Sequence, residues 1–234
     1  MLRAILFDFN GVLVDDEPLH QELIRRVLDE ECLDVDDELI AGMIGLDDRT
    51  CLGRALEAAG EAPDEIRIIR LVARKGSYYQ ERIHEDGFEF FPGAVELVRD
   101  AHARDITLGL VSSALWGEIE SALRQAELFE VFKSIVSAED VAQPKPSPAP
   151  YLRALQDLNA LPPLPERLFH PHEVLAVEDT PVGITAAAGA GLATLGVAHT
   201  HDAGELSSAD AVVQTLMAVK MEDLQARLQE ATRR

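Results

Sequence analysis

Leu6-Phe7-Asp8-Phe9-Asn10-Gly11-Val12-Leu13-Val14-Asp15 begins as an apolar strand and breaks open at Asp8. Burying an unpaired carboxylate is costly, so an aspartate that closes a buried strand is poorly placed for stability. It is well placed for chemistry, because open parallel sheets present functional groups at the carboxyl ends of their strands. The competing reading is a simple turn, in which Asp8 and Asn10 only reverse the chain before Gly11. The remainder of the sequence decides between the two.

Outward from that strand, short apolar runs alternate with amphipathic stretches. Strands are expected at Ala4–Phe9, Thr107–Val111, Ser134–Val136, Val174–Val177, Ala193–Val197 and Ala211–Val213. Helices are expected at Gly93–Ala103, Gly117–Ala126, Ala149–Leu158 and Val182–Ala190. Strands separated by helices imply an α/β fold: a Rossmann-like parallel sheet with helices on both faces. Residues 16–91 break the alternation. Leu19, Leu23, Ile24, Val27 and Leu28 define one helix face there, and further helices are expected at Arg49–Ala59 and Asp64–His84. Asp86-Gly87 and Phe91-Pro92-Gly93 mark the return. The expected organisation is an α/β core of residues 1–15 and 92–234 with an inserted helical cap domain, 16–91, acting as a lid. The alternative is a helical subdomain that serves only packing. Met221–Arg234 reads as an amphipathic helix carrying Leu224 and Leu228, and Leu161–Pro171 as a surface loop with His170 and His172 exposed.

Hydrophobic residues make up 47% of the 234, which excludes a disordered chain. The apolar runs are too short to span a membrane, and no signal-peptide pattern opens the sequence, so the expected location is cytoplasmic. A net charge of -21 argues against nucleic-acid binding, since phosphate backbones would be repelled. It leaves room for a small phosphorylated substrate held by local donors and a metal. Cys32 and Cys51, with no CxxC, read as reduced thiols. Only four lysines occur, so their positions are informative.

Three later segments carry polar groups at expected strand ends or before helices. In Leu108-Gly109-Leu110-Val111-Ser112-Ser113, the Ser112 hydroxyl and Ser113 backbone N–H can donate to phosphate at a helix N-terminus, or can simply cap that helix. Trp116, the only tryptophan, either borders such a site or packs. Lys145 is locked between prolines in Gln143-Pro144-Lys145-Pro146-Ser147-Pro148, which limits where its ammonium can reach. In Val177-Glu178-Asp179-Thr180-Pro181, two adjacent acids repel without a cation. With Asp8 they supply oxygens suited to Mg2+, although a Glu-Asp pair can also merely offset a helix N-terminus.

These four motifs, in this order over Ala4 to about Val197, resemble those of the haloacid dehalogenase superfamily, in the branch with a helical cap that includes β-phosphoglucomutase and many small-molecule phosphatases. The resemblance implies that Asp8 is a nucleophile forming an aspartyl-phosphate, that Gly11 lets the backbone approach the phosphoryl group, and that Ser112 and Ser113 bind phosphate. It implies that Lys145 neutralises both, with Asp179 a direct Mg2+ ligand, Glu178 a direct or water-mediated one, and Asn10 a ligand through its backbone carbonyl. Asp16, His20, Gly45, Arg49 and Lys75 fall near substrate-facing positions of such caps, while the plain alternative for each is a solvated helix face. Two departures stand out. Ala149-Pro150 replaces a usual acidic position and bears on a helix cap. Asn10 replaces the aspartate that serves as general acid and base, and an amide cannot exchange a proton at neutral pH.

The implied function is a Mg2+-dependent phosphohydrolase of small phosphorylated metabolites, slowed by Asn10. The alternatives are a sugar-phosphate mutase, against which Asn10 counts more heavily, and a catalytically weak phosphometabolite-binding protein. Dehalogenase chemistry is disfavoured by the acidic pair, and phosphonatase chemistry by the lack of a lysine in Met43–Arg49. No membrane or nucleic-acid partner is expected, and the chain is expected as a monomer or homodimer.

Overall fold

The structure is a computed structural model that describes residues 2–43 and 46–224. By internal contacts it divides into two compact units: the residues up to Asp15 together with those from Glu89 onward, and Asp16–Phe88.

The first unit is built on six parallel strands: β1 (Ala4–Phe7), β2 (Thr107–Val111), β3 (Ser134–Val136), β4 (Val174–Glu178), β5 (Ala193–Val197) and β6 (Ala211–Val213). Their spatial order is β3-β2-β1-β4-β5-β6, so the winding reverses between β1 and β4. In such sheets the crevice at the reversal is where ligands bind. β1 is Ala-Ile-Leu-Phe and buried throughout, as a strand covered on both faces must be. Phe7 lies opposite both Leu110 and Val177, which brings the carboxyl ends of three neighbouring strands level.

The structure differs from expectation at two strand ends. β1 stops at Phe7 rather than Phe9, because the Phe9 carbonyl accepts hydrogen bonds from the Leu13 and Val14 N–H groups (2.8 and 3.0 Å) and closes a turn. β4 runs one residue further, into Glu178. Among the helices of this unit are α5 (Ala94–Ala103), α6 (Trp116–Gln125), α7 (Ala149–Ala160) and α8 (Pro181–Gly189). Tyr151, Ala154 and Leu158 of α7 and Ala186 and Ala187 of α8 share one buried cluster with Leu6, Val111, Val136 and Ala176. Met221 and Leu224 are buried, while Leu228 and the rest of the expected C-terminal helix lie outside the described residues. His170 and His172 are exposed.

The second unit holds α1 (Glu17–Glu30), α2 (Asp37–Ala41), α3 (Asp48–Ala58) and α4 (Glu65–Asp86). Aspartates set three of the four starts: Asp36, Asp47 and Asp64 accept from the N–H groups of Glu38, Thr50 and Arg67. Ile24, Val27 and Leu28 of α1 pack with Leu52, Ala55 and Leu56 of α3 and with Ile68 and Leu71 of α4. Cys51 is buried in that unit and Cys32 exposed, both as free thiols. Among the described residues no helix is long and apolar enough to cross a membrane.

Candidate active site

Asp8 leaves β1 with its N–H still bonded to the Val177 carbonyl at 2.9 Å, so its position is fixed by the sheet. The Phe9 N–H donates to Asp8 Oδ1 at 2.7 Å. From the proline-flanked segment ahead of α7, Lys145 Nζ lies 3.0 Å from Asp8 Oδ2, 2.7 Å from Glu178 Oε1 and 3.0 Å from the Val111 carbonyl. All three ammonium hydrogens therefore have acceptors. Burial alone would lower the pKa of Lys145, but Asp8 and Glu178 outweigh it and hold the group raised, hence cationic. Burial and the Asp8 carboxylate push Glu178 up to about 8, against Lys145 and Tyr151. The Tyr151 hydroxyl, kept protonated by burial, also donates to Glu178 Oε1.

Asp8, Glu178 and Asp179 each offer a buried carboxylate oxygen, and these atoms lie within 4.8 Å of one another. Three clustered carboxyl groups face one lysine, and Glu178 Oε2 is buried with no hydrogen-bond partner among the described residues. A divalent cation taking oxygen ligands fits this donor set: it offsets the excess charge and satisfies that oxygen. Two glycines make the close approach possible. A Cβ on Gly11, whose φ is +74°, would sit 1.9 Å from Asp179 Oδ2, and one on Gly183 would sit 1.9 Å from Glu178 Oε2. The space beside Gly11 is thus occupied by the Asp179 carboxylate.

Asn10 follows in the same turn, and the Ser112 hydroxyl at the end of β2 lies 3.5 Å from Asn10 Oδ1, a weak contact at best. Ser112 Oγ accepts from the Ala114 N–H at 2.9 Å. The serines do not cap α6. Leu115 occupies that position, with Glu118 accepting from its N–H. Ser113 is half-buried beside them. Trp116 is exposed, edge-on to Phe129. At α7 the departure at Ala149-Pro150 does fall on the helix start, where the Ala149 N–H donates to Ser147 Oγ.

In the second unit, Asp16, His20 and Lys75 form one cluster with Asp48 and Tyr79. His20 Nε2 is 3.2 Å from Asp16 Oδ2, Lys75 Nζ is 2.9 Å from Asp48 Oδ2, and Lys75 Nζ also meets His20 Nδ1. The Tyr79 hydroxyl donates to Asp16. Lys75 is completely buried, which removes the solvated-face reading for it. Burial and Lys75 press the His20 pKa down, but Asp16 and Asp48 prevail and hold it at about 9. Arg49 instead pairs with Glu65 on an exposed surface. Gly45 lies outside the described residues.

Sequence reasoning missed three contributors. Tyr151 touches Glu178, Thr200 touches Asp179, and His199 touches the Gly11 carbonyl. A signal existed for the last two, since His199-Thr200 follows the Ala193–Val197 strand at the same sheet end as Asp8.

The model of the haloacid dehalogenase-like hydrolase family matches residues 5–197. Validoxylamine A 7'-phosphate phosphatase of Streptomyces hygroscopicus subsp. limoneus is 27% identical over 221 residues, covering 94% of this chain and 97% of that protein. A crystal structure of β-phosphoglucomutase from Clostridium difficile superposes with a TM-score of 0.86 at 25% identity, over the whole of both chains. A mutant of CbbY from Rhodobacter sphaeroides, with asparagine in place of an aspartate and in complex with xylulose-(1,5)bisphosphate, gives a TM-score of 0.80 at 25% identity, over 93% of this chain and 96% of that one. With a family model spanning most of its length and named phosphatases among its relatives, the chain belongs to the haloacid dehalogenase-like hydrolases and is an enzyme of their phosphatase type.

Proposed function

We propose that the protein is a Mg2+-dependent phosphohydrolase of phosphorylated carbohydrates that works through an aspartyl-phosphate on Asp8. The observation that carries this reading is the Lys145 ammonium 3.0 Å from Asp8 Oδ2, within the same buried cluster as Glu178 and Asp179. An Asp8 oxygen attacks phosphorus, the bond to the leaving oxygen breaks, and that oxygen takes its proton from solvent water, since the Asn10 amide has none to give. Water then attacks the same phosphorus, returning the carboxylate and orthophosphate. Lys145 orients Asp8 and holds positive charge beside it while charge shifts onto phosphoryl oxygens. Ser112 and the Ser113 N–H are the proposed phosphate donors at the end of β2. Asp8, Glu178, Asp179 and the Asn10 carbonyl would hold Mg2+, which supplies charge neutralisation for the phosphoryl group.

The substrate class is supported by two relatives, one named for validoxylamine A 7'-phosphate and one in complex with a sugar bisphosphate. We assign the chemistry to the first unit and substrate selection to the second, with Asp16, His20, Arg49 and Lys75 as its candidate groups. Asn10 favours one further reading, a chain that holds its phosphorylated ligand and turns it over slowly, since the CbbY mutant carrying asparagine holds a bisphosphate.

A screen of phosphorylated metabolites with and without Mg2+, run beside Asn10→Asp, tests this. Mg2+-dependent orthophosphate release from sugar phosphates is expected, faster in the variant. Tight binding without release in both proteins would favour the binding reading, and metal-independent release would overturn the proposal.

A further inference from the structure

The segment after β5 reaches the site twice. Thr200 Oγ1 bonds Asp179 Oδ2 and lies 3.3 Å from the Asp179 carbonyl. Its neighbour His199 has Nδ1 2.9 Å from the Gly11 carbonyl, and its ring stacks on Phe91 with centroids 3.9 Å apart and planes at 17°. A carbonyl only accepts, so Nδ1 carries the hydrogen, which fixes the imidazole tautomer. Burial lowers the His199 pKa, so the ring is neutral at pH 7 and brings no second cation to the cluster.

We infer that Thr200 is a positioning residue of the proposed Mg2+ site: its hydroxyl sets the rotation of the Asp179 carboxylate while His199 fixes the Gly11 backbone against it. Asp179 Oδ2 is wedged into the space that a Gly11 Cβ would fill, and the same oxygen receives the Thr200 hydrogen bond. Held from both sides, the carboxylate presents its ligand oxygen in one direction before any ion arrives. His199 acts on the other half of the wedge. Gly11 directly follows Asn10, whose carbonyl is a proposed ligand, so one dipeptide supports two ligand-bearing segments separated by the whole core sequence.

The inference rests on the Mg2+ reading, and one experiment separates them. Mg2+ titration of the metal-free full-length chain by calorimetry is compared for the parent, Thr200→Val, Thr200→Ala and Thr200→Ser, each with a urea unfolding curve taken without metal. Loss of an outer-shell partner costs about 10–100-fold in metal affinity, and that weakening is expected for the valine and alanine variants. Serine keeps the hydroxyl and is expected to restore parent-like affinity. Parent-like affinity in whichever of the valine and alanine variants folds would overturn the inference alone. So would a serine variant as weak as valine. Failure of the parent to bind Mg2+ would overturn the metal reading and the inference with it.

Discussion

At Asn10 the side chain keeps the shape of an aspartate but has no proton to give, and the consequence depends on the leaving group. A sugar alkoxide must be protonated as it departs, whereas a nitrophenolate needs little help. The chain should therefore favour substrates with acidic leaving groups, and Asn10→Asp should raise turnover of alkyl phosphates by roughly 10²-fold or more while changing nitrophenyl phosphate far less. Steady-state rates across a leaving-group series check this, and an unchanged alkyl-phosphate rate would contradict it. At Gly11, alanine would need both a positive φ and the space held by Asp179. Gly11→Ala should lower stability by about 1–3 kcal/mol and weaken Mg2+ binding, read by urea unfolding and calorimetry. Asp8, Lys145 and the Glu178-Asp179 pair were legible because local signals mark them: strand ends, flanking prolines and adjacent like charges. Tyr151 was not, because it lies within a helix and finds its carboxylate 27 residues away through the sheet's winding. Thr200 carried only its place after a strand, its partner Asp179 lying 21 residues back.

Among the elements, strands and helices followed the alternation of apolar runs closely, since a doubly covered sheet demands continuous hydrophobic strands. The miss at the end of β1 has a local cause. Phe9 is apolar and fully buried, yet it belongs to the turn that carries Asn10 and Gly11. At the opposite end of the sheet, Glu173 precedes β4 and ties it to Arg167 at 2.8 Å and to Arg3, ahead of β1, at 3.3 Å. The Arg167 bond, with help from His170 N–H and Arg3, lowers the Glu173 pKa from 4.5 to about 2. A folded-state pKa below the unfolded one stabilises the protein above the unfolded value, and the gain is lost as pH falls through the folded value. Because Arg167 is largely solvent-screened, Glu173→Gln should cost only about 1–2 kcal/mol at pH 7. The cost should fade as pH drops from 4.5 toward 2, which urea midpoints of both proteins against pH would record. A difference that stayed constant over that window would contradict the linkage.

For the whole molecule, the insertion was legible as a break in strand alternation, but the character of its polar residues was not. Lys75 reads as one more surface cation on an amphipathic helix. It is buried because His20 and Asp48, from two other stretches of chain, supply its partners, with Asp16 in turn bonded to His20. The two ends of the insertion meet within the first unit, where the Asp15 N–H donates to the Glu89 carbonyl at 2.9 Å and Val14 bridges Phe90. A short Gly-Ser linker replacing residues 16–88 should therefore leave a core that unfolds cooperatively and still binds Mg2+, with discrimination among sugar phosphates lost. Circular dichroism melts and calorimetry check it, and a core without a cooperative transition would show that the first unit depends on the second.

Covalent chemistry at Asp8 leaves a mass signature that intact-mass spectrometry can read. With Mg2+ and a substrate bearing a good leaving group, the rapidly acid-quenched protein should gain the mass of one phosphoryl group, located on Asp8 by peptide mapping. Asn10 should favour its accumulation by slowing water attack, and Asp8→Asn should abolish both adduct and turnover. Mg2+-dependent hydrolysis with no adduct at any quench time, undiminished in Asp8→Asn, would exclude the aspartyl-phosphate.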